Sequence, residues 1–205
     1  MGKSRIAKPR LVFMPSMGDL FHEQVPDAVV QRVILRCLCA AKQVPHVFLL
    51  LTKRPERMVE ALMLGEPNPA IWAGTTCENG ARAVERLPYL ARLKAAGWKT
   101  FVSCEPWLET GGPPVWLLDL PQSVDWVILG GETGPGARKI GSAIRIVAEA
   151  EHHGIPVFIK QMGAVWDKAF AKEHGRKPTF EDWPEWARIR QVPAELQRFF
   201  PGGER

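Results

Sequence analysis

The sequence predicts an α/β fold: a partial (β/α) TIM-type barrel of about six parallel strands with a C-terminal covering extension. Six short apolar runs each end in a polar or charged cluster, in LVFMPSMGDLFHE, VFLLLTKRPER, IWAGTTCEN, TFVSCEPW, WVILGGETG and VFIKQMG. A continuous Val/Ile/Leu/Phe run marks a parallel strand buried on both faces, and its polar carboxyl tip is where α/β enzymes of this architecture place their chemistry. Between the runs the pattern turns helical over a dozen or more residues, enough for right-handed crossovers between parallel neighbours. At 205 residues and 46% hydrophobic, the chain can bury one sizeable core. It falls short of the roughly 250 residues of a complete eight-stranded barrel. One domain is expected, with its core over about 10–163 and the extension over 164–205.

The helical segments carry recognisable punctuation. Asp27 can cap a helix running to about Lys42, whose Val29, Val30, Val33, Ile34, Cys37, Leu38 and Ala41 follow the i, i+3, i+4 rule. Pro55 opens the second helix, with Met58, Val59, Leu62 and Met63 on its inner face. The third runs from about Gly80 toward Ala96, perturbed by Pro88, and ends at Gly97. The connection from Leu108 to Val124 is rich in proline and glycine and holds at most a short helix. Ser142 can cap the next helix, which turns Ile146, Val147 and Ala150 inward and stops at Gly154. After Gly163 the chain becomes basic and tryptophan-rich. Trp166, Trp183 and Trp186 are expected to pack on the barrel rather than stack on bases.

An open doubly wound sheet is the competing architecture. A dinucleotide-binding sheet needs G-x-G-x-x-G at its first strand-to-helix turn, which LVFMPSMGDL lacks, and GGETGPG comes late with the wrong spacing. Polar residues at every strand end, rather than at one switch point, favour the barrel.

Net charge is +5, which permits an anionic partner without demanding one; nucleic acid is the weaker candidate, and a frayed, solvated amino terminus accounts for Lys3, Arg5, Lys8 and Arg10. No apolar stretch approaches the roughly 20 residues of a membrane span, and MGKSRIAKPR lacks the apolar core of a secretory signal, so no membrane partner and a cytoplasmic location are expected. Cys37, Cys39, Cys77 and Cys104 form no Cys-x-x-Cys pair and no zinc spacing, so no zinc site is predicted and no residue is assigned as a metal ligand. Cys37 reads as a small core residue. Cys77 and Cys104 sit at strand ends without a neighbouring histidine base, which favours buried, inert thiols over nucleophiles.

The strand tips supply the candidate site. Asp19, His22 and Glu23 follow the first strand and could perform acid/base work or bind a metal; Asp19 capping a short helix is the alternative. Lys53 and Arg54 end the second strand beside a helix amino terminus, a corner that favours a phosphate or carboxylate. Glu78 and Asn79 end the third strand, Glu105 the fourth and Glu132 the fifth. Arg138 follows the loop that begins Gly130–Gly131, and Lys160 and Gln161 close the sixth. Three carboxylates in one barrel mouth repel one another unless a metal, a cationic ligand or Lys53, Arg54, Arg138 and Lys160 neutralise them. Asp19, His22, Glu78, Glu105 and Glu132 are therefore catalytic candidates. Lys53, Arg54, Asn79, Gly130, Gly131, Arg138, Lys160 and Gln161 are ligand-binding candidates.

SMGDLFHEQVPD, LLLTKRPERM, IWAGTTCENGARAVERLPYL, FVSCEPWL, DWVILGGETGPGAR, VFIKQMG and DWPEWARIRQVP, in this order, resemble an uncharacterised bacteriophage and prophage protein family with a radical-SAM-like barrel. The resemblance spans about Arg10 to Pro193. It implies that full-length members begin with another strand and a Cys-x-x-Cys-Tyr loop that holds a four-iron cluster and, through it, S-adenosylmethionine. This chain contains no such loop, so no cofactor is expected within it alone. The cluster segment is expected to be truncated, lost through a late start codon, or supplied by a separate cluster-bearing polypeptide. Three readings follow: an amino-terminally incomplete radical-SAM-like enzyme; a module that binds a nucleotide or nucleic acid without catalysis; and a non-radical barrel enzyme using Glu78, Glu105 and Glu132 with a divalent metal.

Overall fold

A computed structural model of the chain describes residues 8–15, 17–108, 115–138, 140 and 143–200. Six parallel strands pair in sequence order: β1 (Leu11–Met14), β2 (Val47–Thr52), β3 (Ile71–Thr76), β4 (Lys99–Cys104), β5 (Trp126–Gly130) and β6 (Val157–Gln161). They form a curled half-barrel with alternating helices, as the apolar runs predict. Unbroken sequential order without a switch point separates it from a doubly wound sheet.

Five helices were expected or foreshadowed and six are observed among the described residues: α1 (Asp27–Gln43), α2 (Pro55–Leu62), α3 (Gly80–Ala95), α4 (Leu120–Ser123), α5 (Ile144–His152) and α6 (Ala164–His174). On α1, Val30, Ile34 and Cys37 are buried, whereas Val29 is 40% exposed and belongs to the outer surface. Asp27 does not cap this helix. Pro26 holds the cap position, and Asp27 instead pairs with Arg57, which also donates to the Val25 carbonyl. On α2 the inner face is Met58, Val59 and Leu62; Met63 is the residue after the last turn and is exposed. Helix α3 is continuous through Pro88, and Asn79 caps it by accepting from the Arg82 N–H at 3.0 Å. Helix α5 buries Ile146, Val147 and Ala150 as expected, and Gly154 follows it at φ +65°; Ser142 lies outside the described residues.

Alternation along the strands makes two apolar layers. Phe48, Leu50, Ile71, Ala73, Val102, Val127, Leu129 and Val157 face the helices. Val47, Leu49, Trp72, Phe101, Trp126 and Ile128 line the concave face, where Leu196 from the extension joins them. Phe101 lies flat against β3. A Cβ on Gly74 would stand 2.3 Å from its ring, so only glycine fits there.

The extension covers what the half-barrel leaves open. Residues 189–191 run along the outer edge of β6, with Ile159 N–H donating to Ile189 O and Gln191 N–H to Val157 O, both at 2.8 Å. This satisfies edge groups that would otherwise be free to recruit another chain. Trp183 is buried in the helix-side core, and Trp166 and Trp186 pack partly buried against it, in the packing role the sequence predicts.

Candidate functional site

The same alternation selects which strand-end residues reach the concave side. Counting by twos from the concave layer, Leu49 leads to Lys53, Trp72 to Glu78, Phe101 to Ser103 and Glu105, Ile128 to Gly130 and Glu132, and Phe158 to Lys160. Because all six strands are parallel, these residues stand at one end of the sheet.

Their charged side chains pair with one another and with cations nearby. Lys53 Nζ lies 3.3 Å from Glu78, whose other oxygen accepts from Arg86 Nη1 at 3.0 Å. Arg86 also donates to the Thr76 carbonyl at 2.6 Å and is nearly inaccessible. Burial pushes the Glu78 carboxyl up, but a backbone hydrogen bond and the Lys53 and Arg86 charges outweigh it, leaving it below the usual carboxylate range. On the opposite side, Glu105 accepts from Gln161 Nε2 at 3.0 Å and pairs with Lys160 at 3.2 Å, while Ser103 Oγ stands at 3.4 Å. The lysine heads remain open to solvent, at 56% exposure for Lys53 and 60% for Lys160.

After β1, Asp19 makes a tight turn rather than capping a helix. It accepts from the Phe21 N–H at 2.9 Å, Thr52 Oγ1 at 2.7 Å, the Lys53 N–H at 3.1 Å and Arg54 Nη1 at 3.1 Å. Burial would raise its carboxyl, but these donors lower it overall. Arg54 is shared with Glu23 at 2.6 Å, which brings that carboxyl down to about 2. His22 Nε2 lies 3.4 Å from Glu23, and its Nδ1 accepts from the Gln24 N–H. Asp19 and Glu23 are thus held ionised by the corner expected to receive an anion. The carboxylates neutralised by Lys53 and Arg54 are Glu78, Asp19 and Glu23. After β5, Glu132 is lowered by hydrogen bonds from Arg138, at 2.7 Å from its N–H and 3.1 Å from its side chain, in an exposed pair.

Three candidates take structural roles. Asn79 is spent on capping α3. Gly130 makes room for neighbours, since a Cβ there would meet Glu105 and Gln161 within 2.9 Å. At Gly131 a Cβ would stand 2.2 Å from the Met162 carbonyl, so internal contact accounts for both glycines. Arg86 was missed. Its signal was available: with Ala83, Leu87 and Leu90 it occupies the buried stripe of α3, and a cation on an apolar face marks a buried partner.

The cysteines fall on the other parity. Cys77 and Cys104 follow Ala73 and Val102 toward the helices and are both inaccessible. Burial pushes the Cys77 thiol up to about 12 and Cys104 well above its ordinary value. Cys37 is also buried, leaving Cys39 as the exposed thiol. These four do not fit the iron–sulfur cluster that the resemblance implies, which needs thiolates grouped in one loop. No group of three or more His, Cys, Asp or Glu among the described residues is arranged to hold a metal ion. No described helix is long and apolar enough to cross a membrane.

A family model described as a protein of unknown function, DUF5131, matches residues 3–188. A comparison with curated proteins finds no match. One solved structure, "Crystal structure of MenC from Desulfotalea psychrophila LSv54", is similar at 15% identity and a TM-score of 0.29, covering 78% of this chain and 48% of that one. The chain therefore spans about half the length of that relative, and a likeness of this size carries no functional argument.

Proposed function

The chain belongs to the family of unknown function DUF5131, and from that premise we propose a radical-SAM-like barrel protein whose concave rim binds a small anionic, nucleotide-like ligand. One observation carries this. Lys53 and Lys160 present exposed ammonium heads at opposite ends of the rim, each tethered through its own largely buried carboxylate, Glu78 or Glu105. Tethering holds the cations near the mouth before a ligand arrives and reduces the entropy lost when a phosphate or carboxylate is bound. Ser103 and Gln161 add hydrogen-bonding groups beside Glu105. Each rim carboxylate already has a cation, which favours this reading over one in which Glu78, Glu105 and Glu132 share a divalent metal.

S-adenosylmethionine and a four-iron cluster belong to the resemblance, and the cysteines described here do not supply cluster ligands. The roles assigned to this chain are binding and orientation. Calorimetric titration with S-adenosylhomocysteine and with ATP tests them. At least one should bind saturably, and Lys53→Gln and Lys160→Gln should each weaken it by about tenfold, the value of one charge-assisted hydrogen bond, while lowering the melting temperature by no more than about 4 °C. Binding of neither ligand, or binding indifferent to both substitutions, would sink the proposal.

A further inference from the structure

A second cavity opens at the opposite end of the sheet, where β2 and β3 begin. It has a volume of about 220 Å³ and lies between the last turn of α1, the start of β2, the loop before β3 and the carboxyl-terminal segment. Leu38, Val47 and Ala70 contribute its apolar wall, and Lys42, His46, Asn68 and Arg198 its polar one. None of its lining residues is an aspartate or glutamate.

Local bonding turns these polar groups into donors. His46 Nδ1 accepts from the Arg10 N–H at 3.1 Å, so in the neutral ring Nε2 carries the hydrogen. Asn68 Oδ1 accepts from the Ala70 N–H at 2.9 Å, and its amide NH2 has no hydrogen-bond partner among the described residues. Arg198 is anchored at the wall by donating to the Pro45 carbonyl at 3.2 Å, the one hydrogen bond of its side chain among the described residues. No carboxylate among the described residues pairs with Lys42 or Arg198. A lysine in the last turn of α1 is explained by the helix dipole alone. The dipole does not explain an arginine brought from the far end of the chain, nor two side chains whose acceptors are both consumed by backbone.

We propose that this cavity is a second binding site, independent of the rim, for a small molecule bearing a phosphoryl group, with Lys42, His46, Asn68 and Arg198 as the donors. A concave site of this volume suits a compact anion with a short apolar body rather than a nucleic-acid strand. Inorganic phosphate is the probe, titrated against the full chain and followed by ³¹P line broadening. The titration is run in the full-length Lys53→Gln/Lys160→Gln variant, which removes the rim cations, and saturable binding is expected to persist there. Adding Lys42→Gln or Arg198→Gln, both at exposed side chains, should weaken it by about tenfold each. Circular dichroism melts establish that the variants are folded. Absence of saturable binding in the rim-disabled variant, or binding insensitive to Lys42→Gln and Arg198→Gln, would each overturn the proposal.

Discussion

Replacing Glu78 by glutamine tests the energetics of the rim most directly. The substitution keeps the shape of the side chain and removes the charge that Lys53 and Arg86 share. The two cations respond differently. The Lys53 side chain is 56% exposed, so water screens its pair and the loss is at most about 1 kcal/mol. The Arg86 side chain is only 8% exposed; without Glu78 its guanidinium keeps the Thr76 carbonyl but loses its counter-charge. Breaking a fully buried pair costs about 3–5 kcal/mol, and because Glu78 itself is 21% exposed the cost falls below that range, to about 2–3 kcal/mol. For a chain of this size each kcal/mol lowers the melting temperature by about 2–4 °C, so a fall of about 5–10 °C is expected at neutral pH.

The pH dependence follows from the lowered Glu78 carboxyl. A group whose folded value is depressed stabilises fully above its unfolded value, here the ordinary 4.5, and the contribution is lost as pH falls through the folded value. The difference between wild type and Glu78→Gln should therefore close in acid. Melts monitored by circular dichroism across that range, with Arg86→Leu and the double variant completing a cycle, measure it. The double variant should cost less than the sum of the singles, because it leaves no stranded charge. A single-variant cost below about 0.5 kcal/mol, or strict additivity, would refute the buried-charge account.

Gly74→Ala forces a methyl into the plane of the Phe101 ring and should destabilise by about 1–3 kcal/mol in urea unfolding; adding Phe101→Leu should recover part of this, and recovery of nothing would mean that the contact is not what fixes the glycine. Titration of the native protein with a thiol reagent should modify Cys39 rapidly and Cys37, Cys77 and Cys104 only on unfolding; fast reaction of Cys77 or Cys104 would contradict their burial on the helix side.

Much of the site was legible because it depends on local periodicity. The apolar runs located strands of four to six residues, and their polar tips located the end at which Lys53, Glu78, Glu105 and Lys160 stand. Parity within each run also separates Cys77 and Cys104 from the concave residues, a signal present in the sequence itself. Asp27 and Asn79 illustrate the ambiguity of short polar residues near helix starts. Both can cap, and only the position of Arg57 drew Asp27 away.

The sequence by itself determined the α/β class, the order of strands and helices and the end of the sheet that bears charge, since each follows from contacts and spacings within a few residues. Which cation meets which carboxylate was decided by tertiary structure alone. Arg54 meets Asp19 and Glu23 from the segment after β1, Glu78 meets Lys53 from the end of β2 and Arg86 from α3, and Glu105 meets Lys160 from β6, so these pairings depend on how the elements pack and on sheet curvature. The cavity that gathers Lys42, His46, Asn68 and Arg198 exists because the extension returns to the start of β2, a closure across more than a hundred residues that no local pattern encodes.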